Sequence, residues 1–289
     1  MNVQEASPIR LDRPVRQTVP FLFASPHSGR HYPESLLARS RLDATSLRRS
    51  EDAFVDELFA GVVGLGAPLL AAQFPRAWLD VNRSSRELDA SMFDAPLEMP
   101  VDAPTPRVTA GLGVIPRIVR DGVEIYRGKL RGSEAAARLT RQYQPYHETL
   151  SALLEETRTH FGAAVLIDCH SMPSTLSVPD IVLGDRYGAS AVAALTTRAQ
   201  DAFRREGFSV TCNTPYAGGH TTTLYGKPDQ GCHALQIELN RALYLNEEHI
   251  TKRPAFASVQ TRLMRAIGHL TEIALSELTV PGALPQAAE

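Results

Sequence analysis

At 289 residues, 43% of them hydrophobic and 21% charged, the chain is long enough for a sizeable core and has the composition of an ordinary soluble globular protein. A formal net charge of -2 gives no bulk attraction to nucleic acid or an anionic membrane, and no apolar run approaches the roughly 20 residues of a membrane span. Cys169, Cys212 and Cys232 are too sparse for a disulfide framework and match no zinc-finger spacing, and the polar start Met1–Glu5 has no signal-peptide core, so a reducing cytoplasm is expected.

In chain order, the apolar run Phe21-Leu22-Phe23-Ala24 predicts a strand over 20–25. Leu47, Phe54, Val55, Leu58, Phe59 and Val62 recur at helical spacing and predict a helix over 46–64. Strands are predicted over 68–73 and 77–81. Residues 84–126, with Pro96, Pro100, Pro104, Pro106 and Pro116 and little periodicity, read as a long excursion over the sheet edge, either a lid or an ordered surface loop. Leu139, Tyr143, Tyr146, Leu150, Leu153 and Leu154 predict a helix over 134–160. Strands at 163–168, 180–183, 208–211 and 234–239 and helices at 189–206 and 255–277 complete the pattern, and the tail from Val280 is expected to fray. Strands alternating with long helices argue an α/β fold with a mainly parallel sheet covered on both faces, in one domain over 1–289.

Two strings stand out. Ser25-Pro26-His27-Ser28-Gly29 and Asp168-Cys169-His170-Ser171 each follow an apolar strand and place a histidine just past its end, where open α/β sheets bind ligands. Two imidazoles there, plus one carboxylate, would leave a fourth position open on a zinc-like ion. The helix after His27 begins near Ser50-Glu51-Asp52; Asp52 is favoured as the third ligand and Glu51 is the alternative, while His31 rivals His27. His147, His160, His249 and His269 read as surface or packing residues of amphipathic helices. Glu238, a carboxylate inside the apolar run Ala234–Leu239, is costly there unless paired or placed at a site, which makes it the candidate general base. Asn82-Arg83 would emerge at a strand end, where an arginine can grip a substrate carboxylate, and Arg127 in Tyr126-Arg127-Gly128-Lys129 offers a second guanidinium; a structural ion pair is the alternative for either arginine. Tyr216–Thr223 reads as a glycine-hinged loop carrying His220 that closes over substrate; it lacks the lysine and spacing of a phosphate loop.

Together these strings, with Glu51–Leu58, Asp80-Val81-Asn82-Arg83, Ile125–Leu130, Pro215–His220 and Gln236–Arg241, resemble the N-formylglutamate amidohydrolase family over most of the chain, from about Phe21 to Leu245. The resemblance implies hydrolysis of N-formyl-L-glutamate to formate and L-glutamate in histidine degradation. It also implies a three-layer sandwich with a mixed, mostly parallel sheet, similar to zinc-dependent carboxypeptidases, and one divalent ion, with zinc the default. Glu238 would be the base, Asn82-Arg83 the carboxylate pair, and His27, Asp52 and His170 the ligands. Those peptidases carry a glutamate ligand three residues after the first histidine, where this chain has Arg30, so the carboxylate must come from elsewhere. Rival readings are a metal amidohydrolase of another N-acylamino acid or a cell-wall amide, a serine hydrolase using Ser28 or Ser171 without a Gly-x-Ser-x-Gly elbow, and a non-catalytic binding protein.

Overall fold

The computed structural model describes residues 7–119, 122–174 and 179–279; the expected fraying from Val280 lies outside them. In chain order the elements are β1 (Ile9–Asp12), β2 (Phe21–Ser25), α1 (Glu34–Arg39), α2 (Ala44–Arg48), α3 (Val55–Leu58), β3 (Leu69–Ala72), α4 (Pro106–Thr109), α5 (Gly132–Arg138) and α6 (Gln144–Phe161). Then follow β4 (Ala164–Met172), β5 (Ile181–Gly184), α7 (Ala193–Arg205), β6 (Val210–Cys212), α8 (His220–Tyr225), β7 (Cys232–Asn240), β8 (Leu245–Asn246), β9 (Thr251–Lys252) and α9 (Phe256–Thr271). Seven strands form one sheet in the order β1-β3-β2-β4-β7-β5-β6. The pairs β2–β4, β4–β7 and β5–β6 are parallel and β5–β7 is antiparallel, so the sheet is mixed and mostly parallel, as expected. All nine positions of β4 and all five of β2 are buried, which requires cover on both faces.

Contacts divide the chain into two compact units interleaved in sequence. One comprises Leu11–Ser25, Asp52–Leu70 and Leu150–Glu289. Its core gathers Phe21, Phe23, Ile167, Cys169, Ile237 and Leu239 from the strands with Val55, Leu58, Leu195, Phe203, Leu263 and Ile267 from α3, α7 and α9. The other comprises Met1–Arg10, Pro26–Glu51 and Ala71–Thr149 and is largely irregular. The proline-rich excursion belongs to it and has buried anchors of its own, including Leu88, Phe93, Val114, Ile115 and Ile125.

Several expectations change. The segment 77–81 is not a strand: Trp78 and Leu79 both donate their N–H to the Pro75 carbonyl, which winds it into a turn. The helix expected over 46–64 breaks after α2, because Phe54 adopts a left-handed φ of 64°, and resumes as α3 and a 3-10 turn. The helix expected over 134–160 is interrupted by a π-helical turn at Leu139–Tyr143, and that over 255–277 stops at Thr271. β1, β8, β9, α1, α4 and α8 carry too short a pattern to stand out in sequence.

Candidate metal centre

On β4 and β7 the register pairs Asp168 with Gln236 and His170 with Glu238. Alternate residues of a strand share a face, so these four side chains stand on one face, opposite Ile167, Cys169, Ile237 and Leu239 in the core. His170 therefore lies within β4, not beyond its end; the apolar run looks shorter than the strand because the strand's site-facing positions are polar. Gln236 Nε2 donates to Glu238 Oε1 at 2.8 Å. His170 Nε2 lies 3.0 Å from Asp168 Oδ2, and its Nδ1 lies 3.0 Å from Asp52 Oδ2. The other oxygen of Asp52 accepts from Arg241 Nη2 at 3.0 Å and Ser171 Oγ at 3.3 Å. Burial alone would lower the His170 pKa, but Asp168, Asp52 and Glu238 outweigh it and raise it well above the usual imidazole value.

In the irregular unit, His27 Nε2 lies 2.7 Å from Asp80 Oδ1. Asp80 also accepts from Arg76 Nε at 3.0 Å and from the Asn82 backbone N–H at 2.8 Å. Burial would raise the Asp80 pKa, yet Arg76, His27 and Arg83 hold it well below the usual carboxylate range. Gly29 is required where it stands, since a Cβ there would sit 2.1 Å from the Phe74 carbonyl oxygen. Asn82 and Arg83 are buried in a turn, with Arg83 Nε donating to the Leu112 carbonyl at 3.2 Å. Arg127 is exposed, and its Nε donates to the Ser40 carbonyl at 2.9 Å.

His27, Asp52 and His170 are all buried, and each offers an atom that can ligate a metal. Two imidazoles and a carboxylate are a donor set that hydrolytic zinc sites use. Each ring has its Nε2 against a buried carboxylate, the support that orients metal-binding imidazoles. Glu51 is engaged elsewhere, accepting from Tyr32 at 2.7 Å and pairing with Arg48 at 3.1 Å, and His31 is exposed. His220 opens α8, so the expected loop is confined to 216–219; Gly184 gives that loop room, as a Cβ there would lie 2.8 Å from the Ala217 carbonyl carbon. Sequence reading missed Asp80, Asp168 and Arg241 as supports. The cue that singled out Glu238, a charge inside an apolar run, was available for Asp168 as well.

The model of one protein family, N-formylglutamate amidohydrolase, matches residues 19–245, which span all of these positions. The N-formylglutamate deformylase of Pseudomonas aeruginosa is 33% identical over 242 residues, covering 81% of this chain and 85% of that protein. That of Pseudomonas putida is 30% identical over 238 residues, covering 79% and 83%. The crystal structure of N-formylglutamate amidohydrolase from Ralstonia eutropha JMP134 superposes with a TM-score of 0.86 at 32% identity, covering 91% of this chain and 96% of that one.

Proposed function

Because the chain belongs to the N-formylglutamate amidohydrolase family, we propose that it hydrolyses N-formyl-L-glutamate to formate and L-glutamate, as a step of histidine degradation in the cytoplasm. The observation that carries this reading is the buried pair of His170 and Asp52, with Glu238 beside His170 in the ladder. His27, Asp52 and His170 would hold one divalent ion, zinc by the chemistry of the donor set. Such an ion, when bound, supplies a Lewis acid that polarises a carbonyl and makes water acidic.

The protein's own groups do the rest. Glu238, steadied by the Gln236 amide, takes the proton of the attacking water as its oxygen bonds to the formyl carbon. It returns that proton to the glutamate nitrogen as the C–N bond breaks, which releases formate and an amine. Arg127 would stabilise the oxyanion. Asn82 and Arg83 hold a carboxylate of the glutamate part, which gives an acidic amino acid its advantage. His220, at the start of α8, contributes to substrate binding. No helix among the described residues is long and apolar enough to cross a membrane.

Thorough chelation is expected to abolish turnover, and zinc add-back to restore it; full activity in the chelated protein would overturn the metal reading. Glu238→Gln should lower kcat by about 10²- to 10⁴-fold with the fold intact. N-formyl-L-glutamate should be turned over faster than N-formyl-L-aspartate or N-acetyl-L-glutamate; preference for either of these would change the substrate assignment.

A further inference from the structure

The π-helical turn between α5 and α6 is closed by the Gln144 N–H donating to the Leu139 carbonyl. The spacing of buried side chains explains it. Ala135 and Arg138 are three apart, and Tyr143, Tyr146, His147, Leu150, Leu153 and Leu154 follow one another at helical intervals, but Arg138 to Tyr143 is a step of five. An α-helix turns about 100° per residue, so a regular helix would swing Tyr143 off the buried stripe; the wider turn absorbs the extra residue. Pro145 follows and has no N–H to donate, which lowers the cost of interrupting the ladder there.

The result is that Tyr143 and His147, four residues apart, share a face, their ring centroids 4.3 Å apart. Tyr143 Oη donates to the Arg83 carbonyl at 2.9 Å. His147 Nε2 lies 3.0 Å from the Val81 carbonyl, and since a carbonyl only accepts, that nitrogen carries the proton. His147 is therefore a buried hydrogen-bonding residue, more than the surface or packing group its helix suggests. The intervening Asn82 carbonyl accepts from Arg83 Nη1 at 2.9 Å. The segment Val81-Asn82-Arg83 has no strand or helix to fix it, and one face of a single helix turn grips two of its alternate carbonyls.

We infer that Tyr143 and His147 are positioning residues for substrate recognition: by fixing the backbone of Val81-Asn82-Arg83, they aim the Asn82–Arg83 grip on a substrate carboxylate without touching substrate. This rests on the reading of Asn82–Arg83 as the carboxylate-binding pair. Two side chains that merely add to packing would, when altered, depress every substrate alike.

The experiment measures kcat and KM for N-formyl-L-glutamate and its two monoamides, N-formyl-L-glutamine and N-formyl-L-isoglutamine. It uses the metal-loaded wild type, Arg83→Gln, Tyr143→Phe, His147→Leu and His147→Gln, each checked for cooperative unfolding and metal content. Arg83→Gln should lose the preference for the free acid over one of the monoamides. Tyr143→Phe and His147→Leu should each lose about three- to tenfold of that same preference, mainly through KM. His147→Gln, whose amide N–H can serve the same carbonyl, should retain it. Equal losses on all three substrates, or an unchanged preference, in both Tyr143→Phe and His147→Leu would overturn the positioning role. If Arg83→Gln itself keeps the preference, the carboxylate reading fails and the positioning role fails with it. If Arg83→Gln loses the preference while the other variants keep it, the positioning role alone fails.

Discussion

On β4 and β7, His170 and Glu238 stand together because a parallel ladder pairs their backbones; around Asp80, His27 and Asn82 are held because one carboxylate accepts from both. The first arrangement is distributed over many backbone bonds, the second is concentrated in one buried side chain. The ladder should therefore tolerate loss of a supporting carboxylate better than the turn does. The largest effect is expected from Asp80→Ala, which removes the buried carboxylate that the His27 ring, the Arg76 guanidinium and the Asn82 N–H share. A loss of about 3–5 kcal/mol in urea unfolding is expected, as for other broken buried charge networks. Asp168→Asn should be milder, because β4 still carries His170: about 1–2 kcal/mol of stability, with metal affinity down about 10- to 100-fold by equilibrium dialysis. If Asp168→Asn unfolds as readily as Asp80→Ala, the contrast between ladder and hub is broken. The smallest effect is expected from Glu51→Gln, which keeps an acceptor for Tyr32 and gives up a pairing with the partly exposed Arg48. A change within about 1 kcal/mol and unaltered metal affinity are expected; a large fall in affinity would move the third ligand from Asp52 to Glu51.

The same contrast decides what could be read in the sequence. Phe21–Ala24, Ala164–Ile167 and Ala234–Leu239 are apolar runs, and each proves to lie in a central strand, β2, β4 or β7. The histidine strings and Glu238 are legible because they sit on or just after those runs. Strand periodicity failed at 77–81, where Ala77, Leu79 and Val81 are buried in a turn set by Pro75, because burial alone does not distinguish a turn packed in a core from a strand. Helical periodicity failed at Phe54, whose left-handed backbone leaves no mark on an otherwise helical pattern. The supports Asp80 and Arg241 were illegible for a different reason. Arg241 reaches Asp52 across 189 residues of sequence, and only the fold determines that meeting.

The pairing of His170 with Glu238 also governs how this chain can change in length. One residue gained or lost between Cys232 and Glu238 would turn the carboxylate to the opposite face, among Ile167, Cys169 and their neighbours. Two residues would restore the face but shift the carboxylate about 6–7 Å along the strand. Neither change leaves a carboxylate beside the histidine, so β7 is closed to insertion and deletion. Length variation must fall instead in the turn before it, at Lys227–Gly231, or beyond Asn240.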